Sequence, residues 1–195
     1  MESLKSLLNI ETIVSRPDVD GELSRIANIL MNEYCIDNGA HQYRPIEIEF
    51  YIYDKDKHAD EHVYKRDKKN AGVLFYHYSG MDICLGSCLD KGQFGGILIR
   101  ALEREDGLMF GGPLVCLNEV LNTATTKCHV ARAQVVQNYS LQPALPRVGI
   151  TPKNESDNYK YRFIRCRVPN PIEMNFPDYD FKKKERKNRK GKYKF

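Results

Sequence analysis

Residues 46–53, IEIEFYIY, alternate strictly between apolar side chains and acidic or aromatic ones. That period of two belongs to a β-strand with two unlike faces. Ile46, Ile48, Phe50 and Ile52 point one way, while Glu47, Glu49, Tyr51 and Tyr53 point the other. The strand therefore has one face for a core and one rich in carboxylates and phenols.

Upstream, Leu23, Ile26, Ala27, Leu30 and Tyr34 recur at spacings of three and four. This predicts an amphipathic helix over residues 20–35, with Asp20 as N-cap and Asn38-Gly39 beyond its end. Downstream, DKDKHADEHVYKRDKK (54–69) is dense in charge and lacks apolar periodicity, so it reads as a surface loop or short helices. Two further strands are expected at 73–85, broken or bent at Ser79-Gly80, and at 96–102, separated by Asp90-Lys91-Gly92. Pro113 suits a first helical position, and Leu114, Leu117, Val120 and Leu121 follow at helical spacing to about Asn122. A last strand is expected within 161–168, before Pro169-Asn170-Pro171 ends regular structure. Together these elements form an α+β fold with a mainly antiparallel sheet.

Composition bounds the function. The 195 residues are 42% hydrophobic, enough for one sizeable core, and the expected organisation is one domain over 1–170 and a basic tail over 171–195. Apolar runs stay short of the roughly 20 residues a membrane helix requires, so a soluble, cytoplasmic and monomeric protein is expected. The six cysteines form no CxxC pair and several sit in apolar runs, which favours reduced buried thiols and no metal site. Residues 182–195 hold nine Lys or Arg and one Glu, a net of +8 against +4 for the whole chain, so residues 1–181 carry −4. Lys182, Lys183, Lys184 and Arg186 are thus the candidate phosphate contacts, although such a run is equally a solvated tail.

Glu49 and Tyr51 share a strand face, an arrangement also found on the polar side of ordinary antiparallel strands. Arg100 is the sole charge in GGILIRAL (95–102) and requires a partner or a route to solvent. Contact with Glu49 would keep that carboxylate ionised and able to act as a base. His62, Tyr76, His77 and Tyr78 add imidazole and phenol groups nearby, each of a type more often structural than functional.

In order, LSRIANILMNEYCIDNG (23–39), RPIEIEFY (44–51), AGVLFYHYSGMDICL (71–85), GGILIRALE (95–103), GGPLVCLNEVLN (111–122), LPRVGI (145–150) and YRFIRC (161–166) resemble the successive blocks of the alkyladenine (3-methyladenine) DNA glycosylase family. The Glu-x-Tyr strand end, Gly80-Met81, Leu98 to Glu103 and Pro146-Arg147-Val148-Gly149 are the most specific of these. The resemblance implies a curved antiparallel sheet surrounded by helices, of the kind also found in formyltransferase C-terminal domains. It further implies excision of alkylated or deaminated purines from double-stranded DNA without a cofactor. By position, Glu49 would activate water, Arg100 would help hold it, and Tyr51 and His62 would sandwich the extruded base, with Tyr76 or His77 as the second aromatic and His58 as a rival to His62. No lysine in the matched strands offers a Schiff base, so simple hydrolysis is expected.

Two departures accompany the resemblance. Ser79 stands where the family places its duplex-wedging aromatic ahead of Gly80 and Met81, and Gly86 stands at the asparagine that excludes guanine. With the negative body, these leave two alternatives open: a nucleic-acid or modified-nucleotide binding protein that does not cut, and an N-glycoside hydrolase for small nucleosides.

Overall fold

The computed structural model describes residues 3–65, 70–150 and 159–166. It is an α+β structure built on a curled, nine-stranded antiparallel sheet. The lysine-rich segment, with Lys182, Lys183, Lys184 and Arg186, lies outside the described residues, as does the proposed boundary at 170/171.

Two short helices open the chain, α1 (Leu4–Leu7) and α2 (Ile10–Ser15), capped by Ser3 and Asn9 side chains that accept from Ser6 and Thr12 amides. Helix α3 spans Val19–Glu33 and matches the predicted periodicity, but its N-cap is Asp18, whose carboxylate accepts from the Gly21 amide at 2.8 Å. Asp20 instead occupies the first turn, where its charge complements the helix dipole. The helix ends at Glu33, two residues before the expected 35. It passes directly into strand β1 (Tyr34–Asp37), and Gly39, at φ +85°, turns the chain into β2 (Gln42–Asp54).

Strand β2 is the spine of the sheet. One edge pairs along its length with β6 (Gln93–Arg104), and the other meets β1, β9 (Arg162–Ile164) and β3 (His58–Ala59) in succession. Beyond β6 come β5 (Gly80–Cys88) and then β4 (Leu74–His77), the two joined by a tight turn at Tyr78-Ser79. Strand β7 (Met109–Gly111) adds to β6, and β8 (His129–Arg132) to β1. Helix α4 covers Pro113–Asn122, the span its proline and leucines predict, and packs on β5, β6 and β7.

The β2–β6 ladder carries two compensating irregularities. Pro45 pairs with Leu102, Glu47 with Ala101 and Ile48 with Ile99, so Ile46 is an extra residue on β2 and Arg100 an extra residue on β6. Such bulges re-aim side chains. Here the shift sets Arg100 on the face that holds Glu47 and Glu49.

The opposite face is the core. Ile48, Phe50, Ile52, Ile83, Ile97 and Ile99 pack with Ile10, Ile13, Leu23, Ile26 and Leu30 from α2 and α3, all at 2% exposure or less. Each such side chain contributes about 1.5–3 kcal/mol by leaving water. The face predicted to be polar is covered as well: Glu49 has 0% exposure, Glu47 7% and Asp82 7%. A carboxylate-bearing strand face that solvent cannot reach requires built-in partners.

Candidate active site

Those partners converge on Glu49 from three segments. Its Oε2 accepts from Tyr51 Oη at 3.1 Å, two residues along the same strand, and from Arg100 Nη1 at 3.3 Å across the ladder. Its Oε1 accepts from the Val148 amide at 2.7 Å, delivered by the loop after Pro146. Arg100 also donates through Nε to Glu47 Oε1 at 3.0 Å, so one guanidinium bridges two carboxylates. Burial raises the Glu49 carboxyl above its ordinary value, opposed by Arg100, the Val148 amide and Tyr51 and reinforced by Glu47. Burial likewise raises the Tyr51 phenol, with Glu49 adding to the shift. The phenol is therefore protonated and is the donor in the Tyr51–Glu49 bond.

The loop is fixed by a second buried charge pair. Arg147 and Asp60 have side chains at 0% exposure, joined through a short Nη1–Oδ2 contact and by Nη2 to Oδ1 at 3.3 Å. The same guanidinium lies 4.7 Å from the centre of the Tyr51 ring. Asp60 also accepts the His62 amide at 3.0 Å, a turn that carries His62 to its place.

A cavity of about 250 Å³ opens in front of this arrangement. Its lining includes Tyr51 and Val148, which hold Glu49, together with His62, Tyr64, His77, Ser79 and Asp82, over a floor of Gly95, Gly96 and Leu98. Glu49 and Arg100 stand behind this lining. Side chains at Gly95 and Gly96 would intrude on neighbours: a Cβ at Gly95 would lie 2.9 Å from Leu85 and 3.0 Å from the Tyr51 carbonyl, and one at Gly96 would lie 3.3 Å from Asp82.

Several alternatives left by the sequence are separated by position. His62 lines the cavity, whereas His58 is stacked on Tyr159 at 4.5 Å and hydrogen-bonded through Nε2 to Tyr161 Oη at 3.0 Å, in a separate aromatic cluster. His77 lines the cavity and Tyr76 does not, because successive strand residues face opposite ways; Tyr76 is 39% exposed and hydrogen-bonds Cys128. Ser79 sits at the cavity rim, but Gly80 and Met81 are buried, Met81 at 0% exposure in the core, so neither is placed to meet a duplex. The exposed group at this turn is Tyr78, at 86%. Gly86 lies in the β5 irregularity between Cys84 and Ser87, outside the cavity lining, and its φ of +78° is a left-handed backbone that favours glycine there.

The sequence did not single out Asp60 or Asp82, and it named Val148 only within the Pro146-Arg147-Val148-Gly149 motif, without a role. Asp60 is hidden in a stretch whose charge density reads as surface, Asp82 follows Gly80-Met81 at the start of an apolar strand, and Val148 acts through its backbone. Asp60 could have been suspected from its buried partner Arg147, and Asp82 from His77 across the hairpin.

Among the described residues, no group of three or more His, Cys, Asp or Glu side chains is arranged to hold a metal ion, and no helix is long and apolar enough to cross a membrane. No protein-family model matches the chain, and no curated protein matches it either.

Proposed function

We propose that this chain is a monofunctional purine glycosylase that acts on damaged DNA, with Glu49 as the base that activates water. The observation that carries the reading is a buried carboxylate held by Tyr51, Arg100 and the Val148 amide, directly behind a cavity walled by Tyr51 and His62. A carboxylate offers about four acceptor positions. Two on Oε2 and one on Oε1 are taken, which leaves one acceptor position on Oε1 for a water admitted past the cavity lining.

The raised Glu49 carboxyl suits proton abstraction near neutral pH better than an ordinary glutamate would. Arg100 keeps the conjugate base ionised, and the Glu49 carboxylate stabilises the positive sugar that develops as the base departs. A purine swung out of a duplex into the cavity would meet the Tyr51 ring and the His62 imidazole, and flipping is the price of reaching its glycosidic bond. Tyr78, exposed at the β4–β5 turn beside the rim, is the side chain positioned to fill the gap in the stack. The resemblance in sequence to the alkyladenine glycosylases points to the same chemistry, with alkylated or deaminated purines as substrates.

A second reading, hydrolysis of free nucleosides, draws on the net −4 of residues 1–181, which provides little attraction for a polyanion. One experiment separates the two. Excess protein is incubated with duplexes bearing hypoxanthine, ethenoadenine or 7-methylguanine and, in parallel, with the free nucleosides, and abasic sites and released bases are scored. Release from duplexes by wild type and not by Glu49→Gln is the expected result. Release from nucleosides alone selects the second reading, and release by neither rejects both.

A further inference from the structure

We propose that Ser79, His77 and Asp82 form a nucleophilic triad at the rim of the same cavity, able to transfer the acyl group of small carboxylic esters to Ser79 and then to water. This activity is distinct from glycoside hydrolysis and stands on different atoms from Glu49.

The β4–β5 register pairs His77 with Gly80 and Phe75 with Asp82, so His77 and Asp82 are diagonal neighbours on one face of the hairpin. His77 Nε2 lies 3.2 Å from Asp82 Oδ1, and His77 Nδ1 lies 2.8 Å from Ser79 Oγ. An ionised aspartate only accepts, so Nε2 carries the proton and donates it to Asp82. In the neutral ring Nδ1 is then the free base, and the Ser79 hydroxyl donates to it. That is the polarity an activated serine needs, with a base on its proton and a carboxylate orienting the base. The ring offers Nδ1 rather than Nε2 to the serine, which leaves the chemistry unchanged.

Position supports the assignment. Asp82 is 7% exposed while Ser79 is exposed, so the orienting group is internal and the nucleophile faces the cavity. The imidazole is packed between Phe75, stacked at 5.9 Å, and Tyr64, tilted at 5.7 Å. The Tyr64 phenol hydrogen-bonds Ser79, a contact to the nucleophile itself that fixes where its hydroxyl stands. All three triad members line the cavity of about 250 Å³, a space suited to a short acyl chain.

In the first step Ser79 Oγ bonds to the ester carbonyl carbon and its proton passes to His77 Nδ1. The tetrahedral adduct then expels the alkoxide, which takes that proton as the ester C–O bond breaks. Water attacks the acyl-serine with His77 again as base, releasing the carboxylic acid and restoring Ser79.

The test treats the full chain with a fluorophosphonate, maps the adduct by peptide mass, and follows p-nitrophenyl acetate turnover. Expected are an adduct on Ser79, its absence in Ser79→Ala, and rates lowered about 100-fold or more in His77→Gln and Asp82→Asn. Because substitutions at His77 and Asp82 touch the cavity wall, a second arm measures iodoacetamide alkylation of the thiol in Ser79→Cys. That thiol should react faster than in the Ser79→Cys/His77→Gln pair. No adduct on wild type, an adduct on another residue, or equal thiol reactivity with and without His77 would overturn the triad.

Discussion

Asp60→Asn isolates the clamp on which the site depends. The substitution keeps the side-chain shape and the Oδ1 acceptor for the His62 amide, but it removes the negative charge facing the fully buried Arg147. Breaking a buried pair from one side costs about 3–5 kcal/mol, and a retained amide acceptor places this case near 3 kcal/mol. For a chain of 195 residues, at about 2–4 °C per kcal/mol, the melting temperature should fall by roughly 6–12 °C. Urea unfolding should show a lower midpoint with an unchanged slope, the signature of lost stability rather than a changed unfolded state. Arg147→Met should also destabilise, but the double variant should be more stable than the sum of the singles by about 1 kcal/mol or more, because it buries no orphan charge. Asp60→Asn melting within about 2 °C of the parent, or a strictly additive double variant, would refute the view that the two charges hold the 145–150 loop.

Glu49 links stability to pH with a sign opposite to that of most carboxylates. Its folded value lies above the ordinary 4.5 because it is buried, so its contribution is present below 4.5 and is lost as pH rises through the folded value. Melting temperature against pH should therefore flatten in Glu49→Gln, and the acid limb of the wild-type rate profile should lie above 4.5. Arg100→Lys loses the bridge between Glu47 and Glu49, and one charge-assisted bond at about 1.5–3 kcal/mol predicts a 10- to 100-fold lower single-turnover rate. Tyr51→Phe keeps the ring and should reduce the rate of base release with little change in binding, whereas Tyr51→Ala should weaken binding of a damaged duplex by about 1–3 kcal/mol in a fluorescence titration. Tyr78→Ala should leave stability within about 0.5 kcal/mol while slowing excision from duplex more than from single strands, as read by gel assay.

The elements with strong periodicity were legible in the sequence: the helix from Leu23, the strand from Ile46 and the Pro113 helix all appear where their spacing puts them. Strands β1, β7 and β8 were not. Each has four residues or fewer, and Tyr34-Cys35-Ile36 continues a helical spacing that tertiary pairing with β2 and β8 overrides. The Glu49, Tyr51 and Arg100 grouping was foreseeable because strand parity and a lone buried charge both pointed to it. The choice of His77 over Tyr76 was not, since it turns on which way a four-residue strand faces. Asp60 was obscured by its charged neighbours.

The paired bulges at Ile46 and Arg100 carry a consequence for how this scaffold tolerates change. Because an added residue on one strand is answered by an added residue on the other, the pairing offset between β2 and β6 is the same on either side of the interruption. The isoleucine and phenylalanine contacts of the core therefore do not register what the short stretch between the bulges contains. The charged side chains at Glu47 and Arg100 can be exchanged by point substitution while Ile48 and Ile99 keep the hydrophobic lattice aligned, but loss of one bulge residue alone would invert the faces of everything beyond it. Glu47 and Arg100 thus sit on an insert whose two halves must keep equal length, while Glu49 and Tyr51 belong to the regular ladder beside it.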